Sequence, residues 1–457
     1  MQPEKCVKSI SIMVNLTKSK PFQRVVTFVF SVILITVGLS MILNSLRIKF
    51  QKEILWNKAE NKRYASQDGL ILHDSGSDNY DKSGMPYNVT DLLPQKRIRR
   101  FEPVDDRIHL QINHVPKSYQ YALDNKVEVT MKHIYFHGSE RQWYLKEGQS
   151  YFLKEKCPVN RCLVTYKKTE GRNADAVVFL NPFTLPLNPP WPRRSFDQIW
   201  AMYSLEAPHN TNSASGYKDY FNWTMTYRRD STITTPYFKF LYYKQPLTKD
   251  TIEINLAKGK TKKVAWMVSN CNLVRNGRMK YARQLSKYIN IDIYGACGTK
   301  SCRKSDSKKC LAMIKQNYKF YLAFENSKCL GYYTEKFSQN ALRNNAIPIV
   351  LGVSRAEIKA AAPPGSYIHV EDFDSPKQLA DYLHRIDKDD NLFNQYFRWK
   401  RYGKMTNTKT WCRLCSMLHE KSLPSVTQKD IDTWRSKSCI GARSGATSYL
   451  KNATDDF

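Results

Sequence analysis

The apolar run from Val25 to Leu46 carries no charge between Arg24 and Arg47. At 1.5 Å rise per residue, about 22 helical residues span a hydrocarbon core of roughly 30 Å, so the run predicts a membrane helix. A cleaved signal peptide is the alternative, but its apolar core is only about 7 to 15 residues long and ends at small residues. Asn44, Ser45 and Leu46 make a poor cleavage site. From Lys49 to about Val127 the pattern turns polar, rich in Asp, Lys, Ser and Asn with scattered prolines. Such a segment has little apolar surface to bury and reads as a stem.

Short apolar bursts follow over roughly 330 residues, more than one core usually holds, which predicts two domains. In the first, bursts at His133 to Phe136, Leu163 to Tyr166, Ala176 to Leu180, Ile199 to Leu205 and Met225 to Tyr227 predict an α/β or mixed sheet. In the second, strands at Lys263 to Ser269, Ile291 to Tyr294, Phe320 to Phe324, Ile347 to Leu351 and Ile368 to Val370 alternate with helices. Helical spacing falls at Met279 to Tyr288, Thr334 to Asn344 and Pro376 to Arg385. That alternation implies a mostly parallel sheet.

Lys319 to Gly352 is the most informative stretch. It places Glu325, Asn326, Tyr332, Glu335 and Lys336 at a strand's carboxyl end and the first turn of the next helix. Ligands bind in such crevices, and a helix amino terminus favours phosphate. Taken alone, the pattern also fits a capped helix with Thr334 as cap.

Charge changes the picture less than its size suggests. The formal net charge is +31, yet no helix-turn-helix, RNP-like run or zinc-finger spacing accompanies it, so no nucleic-acid partner is expected. Arg303, Lys304, Lys308 and Lys309 read as a surface loop. Lysines and arginines flank the membrane run on both sides, so charge alone does not orient it. Ten of the eleven cysteines follow the run, as do the sequons at Asn88, Asn222 and Asn452, which favours a lumenal, oxidising side for everything after it. Asn15 would then face the cytosol and stay bare. The expected organisation is a cytosolic tail (1–24), an anchor (25–46), a lumenal stem (47–127), two lobes (128–257 and 258–420) and a tail (421–457).

The residues FENS, then Tyr332, Thr334, Glu335 and Lys336 as YxTEK, then NAL and a PIVLG strand resemble the signature of α1,3-fucosyltransferases. WAMYSLEAP at Trp200 to Pro208, FNWTMTYRRDS at Phe221 to Ser231 and the segment Val264 to Leu285 follow the family's order, as do YFRWK at Tyr396 to Lys400 and Cys412-Arg-Leu-Cys415. The resemblance runs from about Cys157 to His419. It implies a GT-B fold of two Rossmann-like lobes, acceptor side first, in a single-pass type II Golgi membrane protein.

The resemblance also implies a reaction: inverting transfer of L-fucose from GDP-β-L-fucose to the 3-hydroxyl of GlcNAc in glycoprotein glycans. Such chemistry needs a base, charge to stabilise the leaving diphosphate and support for an oxocarbenium-like centre. Glu206, at the end of the Ile199 to Leu205 strand, matches the family's glutamate base; Ala207 stands where the family usually has Ser. Arg278 matches the arginine on the donor diphosphate, with Arg275 and Arg283 as rivals. Lys336 adds a point charge, Glu335 is expected on fucose hydroxyls or the developing positive carbon, and Tyr332 and Asn326 on the donor. Arg228 and Arg229 either face the cleft or pair with Asp230 or Asp219.

Asp372-Phe-Asp374 and Asp387-Lys-Asp389 fit a DxD pattern, but Arg278 and Lys336 can replace a metal's charge. No catalytic metal and no cofactor are expected, a divalent cation being at most stimulatory. Cys412 and Cys415 lack a second zinc-type pair and are expected in disulfides, which by resemblance reach cysteines nearer the acceptor lobe; Cys157 and Cys162 are candidate partners. The cysteine-rich stretch Cys297 to Cys329 and CPVNRC at Cys157 resemble invertebrate members that modify the innermost GlcNAc of N-glycans. Fucosylation of antennal LacNAc or LacdiNAc, or a catalytically silent glycan-binding relative, are the alternatives.

Overall fold

The computed structural model describes residues 107–138, 145–183, 191, 195, 197–243, 245–247, 255–271, 276–420 and 430–439. The expected tail, anchor and most of the stem, together with Asn88, Asn452 and Arg275, lie outside the described residues. Among the described residues no helix is long and apolar enough to cross a membrane.

Five strands build the first sheet: β1 (Lys132–His137), β2 (Cys162–Thr165), β3 (Ala176–Leu180), β4 (Ile199–Ser204) and β5 (Trp223–Thr226). They pair in parallel in the order β2-β1-β3-β4-β5. Every residue of β3 is buried. A parallel strand covered on both faces has no solvent side, which is why its sequence, Ala-Val-Val-Phe-Leu, shows no polar alternation.

After β6 (Lys239–Tyr242) the second sheet comprises β7 (Lys262–Met267), β8 (Ile291–Tyr294), β9 (Tyr318–Phe324), β10 (Ile347–Leu351) and β11 (Ile368–His369), ordered β11-β10-β9-β7-β8. All these pairings are parallel. Helices α1 (Arg278–Leu285), α2 (Ser307–Asn317), α3 (Arg355–Ala361) and α4 (Pro376–Lys388) connect or flank the strands. The α2 helix starts within the expected basic loop, and Arg303, Lys308 and Lys309 there are exposed. Ser354 and Ser375 cap α3 and α4 through their hydroxyls, as capping preference dictates.

The element at Thr334 to Asn344 differs from the expected helix. It is a π-helical turn at Lys336–Ala341 followed by a 3-10 turn at Leu342–Asn344, and no side chain caps its start. Thr334 is occupied elsewhere, as described below.

β12 (Gly403–Thr406) pairs antiparallel with β6, and the chain then crosses back. Helix α5 (Thr410–Leu418) buries Trp411, Cys412, Leu414 and Cys415 in the same core as Ile134, Val164 and Tyr203 of the first sheet. Ile431 of helix α6 (Ile431–Ser436) enters another cluster on that sheet, with Val177, Phe179 and Trp200. The first lobe thus takes in residues expected in the second lobe and the tail. Cys157–Cys412 and Cys162–Cys415 staple α5 to it; Cys271–Cys297, Cys302–Cys310 and Cys329–Cys439 are the other bridges. The helix Arg107–Ile112, inside the expected stem, also docks here: Arg107 donates to the Ser231 carbonyl at 3.1 Å and Gln111 to that of Thr232 at 2.8 Å.

Asn222, one of the sequon residues, is buried between β4 and β5. It is 1% exposed, its side-chain oxygen accepts from the Trp200 N–H at 2.8 Å, and its own N–H donates to the Trp200 carbonyl. Its side-chain oxygen and its backbone N–H are part of the link between β4 and the start of β5.

Candidate active site

Glu206 lies just beyond the carboxyl end of β4, where Ala207 and Pro208 break the strand into a 3-10 turn. Four donors converge on its Oε1: the Ala207 N–H (2.9 Å), Asn210 Nδ2 (3.1 Å), Asn326 Nδ2 (3.2 Å) and the Tyr332 hydroxyl (2.8 Å). The first two come from the first lobe and the last two from the loop after β9, so one oxygen joins the lobes. Ala207 supplies a backbone donor to the carboxylate, and its methyl is fully buried beside Tyr227, Cys329 and Tyr332.

Glu325, at the end of β9, is the most buried acid of the group at 1% exposure. It accepts from the Thr334 N–H (2.7 Å), the Thr334 hydroxyl (2.8 Å) and the Lys336 ammonium (3.0 Å). Thr334 therefore turns toward a carboxylate instead of capping a helix. Burial pushes the Glu325 carboxyl up, with Lys336 the leading opposing influence. Lys336 also touches Glu335 at 3.1 Å; burial alone would lower the ammonium, but Glu325 and Glu335 outweigh it and the net direction is upward. For Glu335 burial raises and Lys336 lowers, and the net direction is downward. Lys336 is thus a cation between two acids, one sealed and one part-exposed.

Arg278, the first residue of α1, is 3% exposed. Its Nη1 donates to the Phe324 carbonyl (3.0 Å) and its Nη2 to that of Asn270 (2.9 Å), so it ties the ends of β9 and β7 together. Burial lowers its pKa, and Glu325 is the leading charge in the other direction. Its Nε, like Asn326 Oδ1, is buried without a hydrogen-bond partner. Buried unpaired polar atoms are rare and ask for an explanation. The rival Arg283 is exposed.

Tyr332 is buried, and burial raises its hydroxyl well above its ordinary value, with Glu325 and Glu206 adding to the effect. It is a neutral donor. Tyr237 sits in the same field, its hydroxyl on the Leu205 carbonyl at 2.9 Å. Sequence reasoning named Glu325 without giving it a role and missed Asn210, Tyr237 and Asn276, whose amide donates to the Glu325 carbonyl at 2.6 Å. Nothing in their local pattern marks them, since each reaches the site from a separate loop.

The remaining candidates are engaged outside this cluster. Arg228 pairs with Asp230 and lies 4.2 Å over the Trp434 ring. Asp372 pairs with Arg355 at 3.5 Å, and Asp387 with Lys319 at 3.2 Å. Among the described residues, two His/Cys groups are close enough to hold an ion, Cys162, Cys415 and His419, and His209, Cys329 and Cys439. In both the sulfurs are joined in disulfides and offer no thiolate.

Residues 130–238 match the "Fucosyltransferase, N-terminal" model and residues 257–434 the "Glycosyltransferase family 10 (fucosyltransferase) C-term" model. The chain is 44% identical over 330 residues to the Drosophila melanogaster "Glycoprotein 3-alpha-L-fucosyltransferase A", a match covering 72% of this chain and 63% of that protein's length. It is 35% identical over 311 residues to the Drosophila melanogaster "Alpha-(1,3)-fucosyltransferase C", covering 62% of this chain and 71% of the relative. A solved structure titled "Crystal Structure of alpha1,3-Fucosyltransferase with GDP-fucose" aligns with a TM-score of 0.40 at 17% identity, over 64% of this chain and 92% of that one. With both family models matched in order along the two lobes, the chain belongs to glycosyltransferase family 10, the α1,3-fucosyltransferases.

Proposed function

We propose that this protein transfers L-fucose from GDP-β-L-fucose, with inversion, to the 3-hydroxyl of the innermost GlcNAc of N-glycans. The observation that carries the reading is the Glu206 carboxylate at the lobe junction, held through Oε1 by donors from both lobes. With Oε1 fixed, Oε2 is the atom to take the proton of the attacking hydroxyl, as a general base within hydrogen-bond reach. The donor lies against the second lobe. Arg278 and Lys336 supply positive charge beside its diphosphate, and Glu335 opposes positive charge developing at the fucosyl carbon.

Two cations beside the leaving diphosphate do a metal's electrostatic work, so turnover should survive chelation. The chain is 44% identical to a relative named for glycoprotein acceptors and 36% identical to one named for 4-galactosyl-N-acetylglucosaminides, a difference that supports the core reading over LacNAc antennae. An anchor at Val25 to Leu46 with the described residues in the Golgi lumen accords with the five disulfides, which persist in oxidising compartments.

The test is GDP release from GDP-fucose with core and antennal N-glycan acceptors, with Glu206→Gln as control. Loss of a general base should cost roughly 10²- to 10⁴-fold in turnover. A Glu206→Gln variant within about threefold of wild type, under 1 kcal/mol of barrier, would refute the base. Faster turnover on antennae than on cores would reassign the acceptor.

A further inference from the structure

We propose that Tyr332 is a positioning residue for Glu206, and that the C-terminal helix α6, locked through Cys329–Cys439, holds Tyr332 in place. The inference rests on the reading of Glu206 as base, and it gives Tyr332 a role other than donor contact. Its hydroxyl is engaged by Glu206 Oε1 at 2.8 Å. Its ring, 2% exposed, packs on Tyr227 of the first lobe at a centroid distance of 5.0 Å. A hydroxyl so placed fixes the rotamer of the carboxylate and leaves the sugar little surface to touch.

The loop that carries Tyr332 is pinned along its length. Asn326 and Tyr332 bond Glu206, Lys328 pairs with Glu371 at 3.2 Å, and the Gly331 N–H donates to Glu357 at 2.7 Å. Cys329 is bonded to Cys439, and the Leu330 N–H donates to the Ser438 carbonyl at 2.7 Å. Gly331 has φ +71 with the Tyr227 carbonyl 3.5 Å from where a Cβ would sit, so a left-handed residue makes the turn against the first lobe.

The other end of the strap grips the first lobe. Asp432 accepts from the Ala214 N–H (2.6 Å) and the Ser213 hydroxyl (3.1 Å), and the Trp434 indole donates to Asp230 (2.8 Å). Arg435 lies 3.6 Å over the Phe183 ring and donates to Thr211, one residue beyond Asn210. Residues 431–439 therefore tie the Tyr332 loop of one lobe to the Glu206 turn of the other, and the disulfide makes that tie covalent.

The test compares Tyr332→Phe, the paired variant C329S/C439S and their combination, with Glu206→Gln in parallel. For Tyr332→Phe we expect kcat to fall about tenfold, the worth of one hydrogen bond to a charged group, with KM for GDP-fucose within about twofold. C329S/C439S should show the same split at a smaller size, about threefold. Added to Tyr332→Phe it should cost little more, as expected of groups that act as a unit. Trp434→Ala, which loosens the strap without touching a cysteine, should repeat the pattern if the paired variant fails to fold. A raised KM for GDP-fucose at unchanged kcat in Tyr332→Phe would make Tyr332 a donor contact and overturn the proposal. So would wild-type kcat in both strap variants. An unaffected Tyr332→Phe beside an inactive Glu206→Gln overturns the positioning role alone; an active Glu206→Gln overturns both readings.

Discussion

Glu325 and Lys336 form an ion pair of 3.0 Å in which the acid's side chain is 2% exposed and the lysine's 16%. Removing one member of such a pair strands the other without water. Lys336→Ala should therefore cost roughly 3 kcal/mol of stability as well as nucleotide affinity. The double variant E325Q/K336M removes both charges and should recover most of the stability while GDP binding stays weak. Urea midpoints and calorimetric GDP titration check this; a Lys336→Ala protein as stable as wild type would show that the pair is not structural.

Gly352 follows β10 at φ +104, and a Cβ there would lie 2.9 Å from the Glu325 Cβ and 3.2 Å from the Ser327 carbonyl. Gly352→Ala incurs a backbone penalty of about 1 kcal/mol and pushes on the acid that holds Thr334 and Lys336. Thermal melts should show a loss, and GDP affinity should fall with it. Full affinity in the Gly352→Ala variant would mean that Glu325 tolerates displacement.

Asn222 should carry no glycan despite its sequon. Peptide mapping by mass spectrometry of protein from a glycosylating host should find it bare. Asn222→Ala leaves the Trp200 N–H without its 2.8 Å acceptor and should destabilise by roughly 1 to 3 kcal/mol in urea. A glycosylated Asn222 in active protein would contradict the packing of β4 on β5.

Lys260 and Lys400 are held down to about 8, Lys260 by burial and then by Lys400, Lys315 and Lys319, and Lys400 by burial and then by Lys315. Their unfolded value is near 10.5. Between those limits the unfolded chain keeps protons that the folded chain has released, so stability should rise with pH from about 8 upward. Urea midpoints between about pH 7.5 and 9.5 measure the slope, which should flatten in K260M and K400M. A midpoint that falls over this range in wild type alone would reverse the assignment.

Much of the framework is legible in the sequence because most of the parallel strands are short, largely apolar runs set between polar segments. Ile291–Tyr294 and Ile347–Leu351 fall where the pattern puts them. The π-helical turn was not legible: Thr334 has the residue type of a cap, and only the fold reveals that Glu325 takes both its N–H and its hydroxyl. The donors on Glu206 come from positions up to 126 residues away in sequence, a separation that local periodicity cannot report. Asn222 marks another limit, since the letters of a sequon do not report that its asparagine is 1% exposed and bonded to Trp200.

The return of α5 to the first lobe fixes an order of events during synthesis. Cys157 and Cys162 emerge some 250 residues before Cys412 and Cys415, so the amino-terminal lobe stays unfinished until α5 has left the ribosome. The β7 to β11 sheet, by contrast, is contiguous, and the core that closes it runs to Trp399, ahead of Cys412. It can close first, and its partner must wait with unpaired thiols, open to mispairing with Cys271 or Cys297 until α5 arrives.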